Sequence, residues 1–194
     1  VTGCVNLGDI RSKYLKIKSG GIIGSGGNNF EISNCYNYGM IDAPDISTAD
    51  NASGGIIGSI TGNGQVRHSY SQGYLIKGTI AGSIVGKTVS NSGISNSVGA
   101  QKAVRGDKAS RIVGDPESAM LSNNLAFQEM LINTTSLSSH DAGSKEGRDV
   151  TLQEFLGKNI YTSLSWTFDA GNWSIDEGRT MPYLSYQSTP ARIN

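Results

Sequence analysis

The sequence predicts an all-β fold, a right-handed parallel β-helix (β-solenoid) of about four to five turns, closed by a C-terminal aromatic cap that contains a short helix. Three observations predict it. The string "GGIIG" stands at Gly20 to Gly24, recurs at Gly54 to Gly58, and returns altered as "GSIVG" from Gly82 and "SRIVG" from Ser110. A second phrase alternates with it: "VTGCVNLG" from Val1, "ISNCYNYG" from Ile32, "VRHSYSQG" from Val66, "ISNSVGAQ" from Ile94 and "LSNNLAFQ" from Leu121. Short Ile- and Val-rich segments bounded by Gly, Asn and Ser fill each repeat, and no helical spacing of apolar residues precedes Ser118.

The glycine strings begin at residues 20, 54, 82 and 110, steps of 34, 28 and 28. A period of about 20 to 50 residues marks a repeat architecture. Short strands that bury the same columns in every repeat are satisfied by coiling the chain, and parallel crossovers wind right-handed. Equivalent residues then stack about 4.8 Å apart along the axis.

Taken in order along the phrase, the first column (Val1, Ile32, Val66, Ile94, Leu121) is apolar and belongs inside. The third (Gly3, Asn34, His68, Asn96, Asn123) reads as a turn ladder of stacked amides, with His68 a hydrogen-bonding substitute. Strict alternation opposes Ile32 and Cys35; a bend at Asn34 turns both inward. Cys4 and Cys35 share the fourth column and read as stacked buried thiols, because a disulfide needs Cβ atoms about 3.8 Å apart. The fifth column (Val5, Tyr36, Tyr70, Val98, Leu125) is again apolar. The glycines mark either positive φ or crowded backbones.

Residues 1–135 form the array, 136–149 an exposed loop, and 150–194 the capping segment packed on the array. The longer repeat owes its excess to "IDAPDISTADNAS", a lateral loop. It carries Asp42, Asp45, Asp50 and Asn51, the candidate ligand-contact residues. Calcium takes six to eight oxygen ligands, but neither an EF-hand nor a G-G-x-G-x-D string is present, so the loop reads as solvated and no metal or cofactor is expected. In the cap, "VTLQEFLG" reads as a helix start, with Thr151 as N-cap, Glu154 completing a capping box, Val150 and Phe155 as a staple and Gly157 as the stop. Trp166 and Trp173 read as seals over an open core, rather than as sugar platforms.

Lys and Arg number 16, as do Asp and Glu, a balance that argues against nucleic acid as partner. No apolar run is long enough for a membrane span. A zincin needs H-E-x-x-H, which is absent. The array acids Asp9, Glu31, Asp107 and Asp115 share no column, unlike the gathered carboxylates of polysaccharide-cleaving β-helices. The opening "VTGCVNLGDI" lacks a signal peptide and looks cut from a longer precursor.

The alternation of "GGIIG" with "ISNCYNYG" resembles the GLUG repeat of long extracellular bacterial proteins and of the region preceding the protease domain of IgA-specific metallopeptidases. The likeness covers about residues 1 to 128, and "SWTFDAGNWSIDEGRTMPYL" is similar to the segment that closes such arrays. The resemblance implies a bacterial surface or secreted module and supplies no catalytic residues. The expected function is non-enzymatic adhesion or display, presenting residues 40–53 and 136–149 to a host or cell-surface glycan or protein. A polysaccharide-active β-helical enzyme and a passive structural stalk are the alternatives.

Overall fold

The computed structural model describes residues 1–14, 16–44, 51–137 and 140–187. The chain winds as a parallel β-solenoid whose turns have four sides. One full turn runs through Gln65–Arg67, Tyr70–Lys77, Ile80–Gly82 and Val85–Thr88. Each strand pairs in parallel with its equivalents in neighbouring turns: Val66 lies between Ile32 and Ile94, and Ile94 in turn against Leu121. On the second side Tyr70 lies between Tyr36 and Val98. The first column is the stacked stripe that the repeat predicts.

The third column explains how a turn changes direction. Gly3, Asn34, His68, Asn96 and Asn123 all hold positive φ, between 46° and 63°. Glycine and asparagine tolerate this left-handed conformation best, and it is what the column selects for. The expected stack of amides is absent: Asn34 turns outward, donating to Asn172 Oδ1 at 3.2 Å and accepting the Trp173 indole N–H at 3.3 Å. His68 supplies the same bend, and burial lowers its pKa.

The bend turns the first and fourth columns inward together, so Ile32 and Cys35 are both fully buried. It also leaves the fourth-column N–H without a partner in the backbone ladder. The next turn's side chain supplies one: Cys4 N–H donates to Cys35 Sγ (3.4 Å), Cys35 N–H to Ser69 Oγ (3.2 Å) and Ser97 N–H to Asn124 Oδ1 (3.1 Å). This is why the column is Cys, Ser or Asn throughout. Ser69→Ala orphans a buried donor and is expected to cost about 1–3 kcal/mol in urea denaturation, with Ser69→Cys recovering most of it; an unchanged midpoint for the alanine variant contradicts the side-chain ladder.

The glycine string is explained by crowding. A Cβ on Gly54 lies 2.0 Å from Ile57 O and 2.7 Å from Gly86 N, and one on Gly82 lies 2.2 Å from Val85 O. The third and fourth sides therefore meet backbone to backbone. The second glycine presses on the second side, where a Cβ on Gly21 lies 2.6 Å from Asn37 Oδ1 and one on Gly55 lies 1.9 Å from Ser71 Oγ. None of these glycines has positive φ. The corner pinches the interior into two apolar lobes, one around Ile32, Ile56, Val66 and Ile94, the other around Ile41, Ile76 and Val104. Between them runs a polar ladder, Asn6 to Asn37 (2.7 Å) to Ser71 (3.1 Å), the latter also bonded by Gln101.

The fifth column faces out, because alternation resumes after the inward fourth. Tyr36 and Tyr70 stack with centroids 4.8 Å apart, and the C-terminal segment covers them along the flank of the coil. Trp166 and Trp173, 4% and 1% exposed, stack on each other and donate to Asn96 O and Asn34 Oδ1. Tyr70 donates to Pro182 O (2.7 Å), and Tyr186 reaches Gly3 O in the first turn (2.8 Å). The cap thus runs from the last turn back to the first as a lateral strap. It holds α1, Leu152–Phe155, with the expected Thr151–Glu154 capping box, and a second short helix, α2, Asn159–Ser163.

The C-terminal end of the coil is closed by the segment expected as an exposed loop. Described residues of 136–149 return to the array: Ile112 N–H donates to Lys145 O (2.9 Å), Asn124 N–H to Ala142 O (2.9 Å), and Arg148–Val150 pairs with Leu125–Phe127. Arg111, in the position of Gly21, Gly55 and Ser83, is fully buried and rises into this last turn. Its guanidinium donates to Glu146 O (3.0 Å), Gly147 O (2.8 Å) and Asp149 Oδ1 (2.6 Å). A polar clamp closes the core here, and the aromatic strap lies elsewhere.

Candidate functional site

The strap leaves part of the second side uncovered. Between its edge and the outer face of the coil lies a groove of about 900 Å³. The seventh column of the phrase, which alternation turns outward, lines it with one residue from each of five turns: Leu7, Tyr38, Gln72, Ala100 and Phe127. At about 4.8 Å per turn, four steps make a floor roughly 19 Å long. Leu152, Phe155 and Met181 of the strap form the facing wall.

A second row runs beside the floor. Tyr74 is 64% exposed, and Lys102 of the next turn holds its ammonium 5.3 Å from the ring centroid, a cation–π contact at the surface. Asp9 lines the first-turn end, its carboxylate held by Met40 N–H (2.9 Å) and Arg11 (3.4 Å). Glu129 lines the opposite end and is exposed. Charge therefore alternates along the groove, acid, base, acid, with the acids one in excess. On the floor, Gln72 is 8% exposed and its carboxamide oxygen has no hydrogen-bond partner. That oxygen has almost no accessible surface, so it lies beneath the floor of the groove and does not line its open space.

The predicted site residues are dispersed. Asp42 lies on Ile41–Asp42 and pairs with Lys77 at 3.9 Å. Asn51 is fully buried, accepting Ile17 N–H and donating to Pro44 O, both at 2.9 Å, so it ties down the base of the inserted loop and faces away from solvent. Asp45 and Asp50 lie outside the described residues. Among the described residues no three His, Cys, Asp or Glu side chains converge as metal ligands, and no helix is long and apolar enough to cross a membrane. Cys4 and Cys35 are free thiols, and burial raises the Cys35 pKa to about 11, which keeps it protonated at neutral pH.

Sequence reasoning missed Tyr38, Gln72, Tyr74 and Lys102. A signal existed: once the third column bends, the seventh must face outward, and it holds a Leu, a Tyr and a Phe where solvent-facing positions favour polar residues. Comparison with protein-family models, with curated proteins and with solved structures finds no match for this chain.

Proposed function

We propose that this chain is a non-enzymatic adhesion or display module of a larger bacterial surface or secreted protein, of the GLUG-repeat kind its phrases resemble, and that it binds a glycan along the groove. The observation that carries the reading is the groove itself: a floor built from five stacked turns, with an exposed tyrosine ring and a lysine beside it. Aromatic faces with a few placed polar groups are the usual lining of a small-molecule or oligomer site.

The alternative of a polysaccharide-cleaving enzyme is less well supported. Paired-carboxylate hydrolysis needs its acids about 5 to 9.5 Å apart. Asp9 belongs to the first turn and Glu129 to the fifth, roughly 19 Å along the axis at about 4.8 Å per turn. A passive stalk is also a weaker reading. It leaves unexplained a groove whose lining includes Leu7, Tyr38, Tyr74, Phe127 and Leu152.

Glycan-array binding by the wild type, with at least about a tenfold loss on Tyr74→Ala, is the expected result. No glycan bound above background by the wild type, or equal binding by the variant, overturns the reading.

A further inference from the structure

One corner of the coil carries a pair of charges that the fold does not use. Between the second and third sides of the fourth turn the chain reads Arg105, Gly106, Asp107, where Val98–Arg105 ends and Lys108–Ser110 begins. Burial alternates across it: Arg105 is exposed, Gly106 buried and Asp107 exposed. Residues i and i+2 of an extended stretch share a face, so guanidinium and carboxylate leave the same side from Cα atoms at most about 7 Å apart.

Gly106 is explained by packing, since a Cβ there lies 2.0 Å from Gly78 O. The next turn clasps its backbone: Gly106 N–H donates to Asn133 Oδ1 (3.0 Å), and Asn133 Nδ2 donates to Gly106 O (3.3 Å). The corner is therefore held in one shape. Its flanking charges have no such account. Arg105 lies in register with Lys77, a like charge that costs stability, and the acid of that row, Asp42, pairs with Lys77 at 3.9 Å. Lys108, next to Asp107, pairs with Asp115 at 2.6 Å. Neither Arg105 nor Asp107 has a side-chain hydrogen bond or ion pair among the described residues. The same corner one turn earlier reads Lys77, Gly78, Thr79, so the pair of opposite charges is complete in the fourth turn and not in the third.

An exposed carboxylate is a hard oxygen ligand for a divalent cation with an open coordination position, and a guanidinium two residues away is a fork for a second protein's carboxylate. A polyanion meets Asp107 and a polycation meets Arg105, so the pair fits a protein surface that offers both partners at once. We propose that Arg105, Gly106 and Asp107 form a second binding site, for a cell-adhesion receptor that holds a divalent cation for the Asp107 carboxylate and an acidic pocket for the Arg105 guanidinium. None of the three lines the groove, so the assignment is independent of the glycan reading.

The test is biolayer interferometry of the whole chain against a purified integrin ectodomain of the class that reads Arg-Gly-Asp, in manganese. Binding is expected, with a loss of at least about tenfold when EDTA replaces manganese, when a soluble Gly-Arg-Gly-Asp-Ser peptide competes, and in Asp107→Glu, which keeps the charge and moves it by one methylene. Lys108→Ala, an exposed neighbour, is expected to bind within about twofold of the wild type, and both variants to melt with it. No binding by the wild type in manganese, binding that survives EDTA, or equal binding by Asp107→Glu overturns the proposal. Glycan binding in the groove is untouched by any of these outcomes.

Discussion

Gly54→Ala is expected to abolish cooperative folding. The added methyl would sit 2.0 Å from Ile57 O and 2.7 Å from Gly86 N, both backbone atoms, so no side-chain rotation relieves it. Relief requires moving the third side away from the fourth in two stacked turns, and with them the strands on either side. Overpacking ordinarily costs about 1–3 kcal/mol because flexible side chains give way; here nothing flexible is in contact, and the loss should exceed about 4 kcal/mol. Gly27 is the control. A Cβ there meets nothing within 4 Å, so Gly27→Ala should stay within about 0.5 kcal/mol of the wild type. Thermal melts followed by circular dichroism decide the matter: a Gly54→Ala transition like that of Gly27→Ala would mean that the sides are not in backbone contact.

The second large effect falls at the tip. Arg111→Ala removes three hydrogen bonds, to Glu146 O, Gly147 O and Asp149 Oδ1, and opens a cavity beneath the last turn. Arg111 is fully buried while the Asp149 carboxylate is partly exposed, so the loss in guanidinium denaturation is expected to come mainly from the lost hydrogen bonds and cavity, about 2–4 kcal/mol. The damage should begin at the tip. Amide exchange should rise first at Ile112, Asn124 and Arg148, whose N–H groups bond to or within the closing turn, with Tyr36 and Tyr70 protected for longer. Arg111→Met with Asp149→Leu, which removes the charge on both sides, should recover part of the stability. If Arg111→Ala leaves both midpoint and exchange unchanged, the clamp does not close the core.

The stacking of Ile32, Val66 and Ile94 was legible because it repeats; a column identical in every turn can only mean equivalent environments. The bend at Asn34 was legible for the same reason, although its cause is a backbone conformation and the amides do not stack. The side on which Tyr36 and Tyr70 lie was harder to read. Apolar character alone does not distinguish a core position from one covered by the strap, and only the inward fourth column fixes the parity of the residues after it. The strap's path was hidden because its contacts span well over 100 residues, as in Tyr70 to Pro182 and Tyr186 to Gly3. Arg111 was visible as a departure, the one charged residue in the altered string "SRIVG", yet a lone departure from a repeat reads as drift until the closing turn is seen above it. The groove was least legible, since its floor column changes chemistry at every turn and carries no period.

The meeting of Tyr186 with Gly3 has a mechanical consequence. Tension applied between Gly3 and Tyr186 is borne by the short stretch where the strap crosses the first turn, and it bypasses the stacked strands. The hydrogen bonds between stacked turns lie along the axis and share an axial load among many strands, whereas the strap meets the first turn through a single bond from Tyr186, so that joint is the one that yields first.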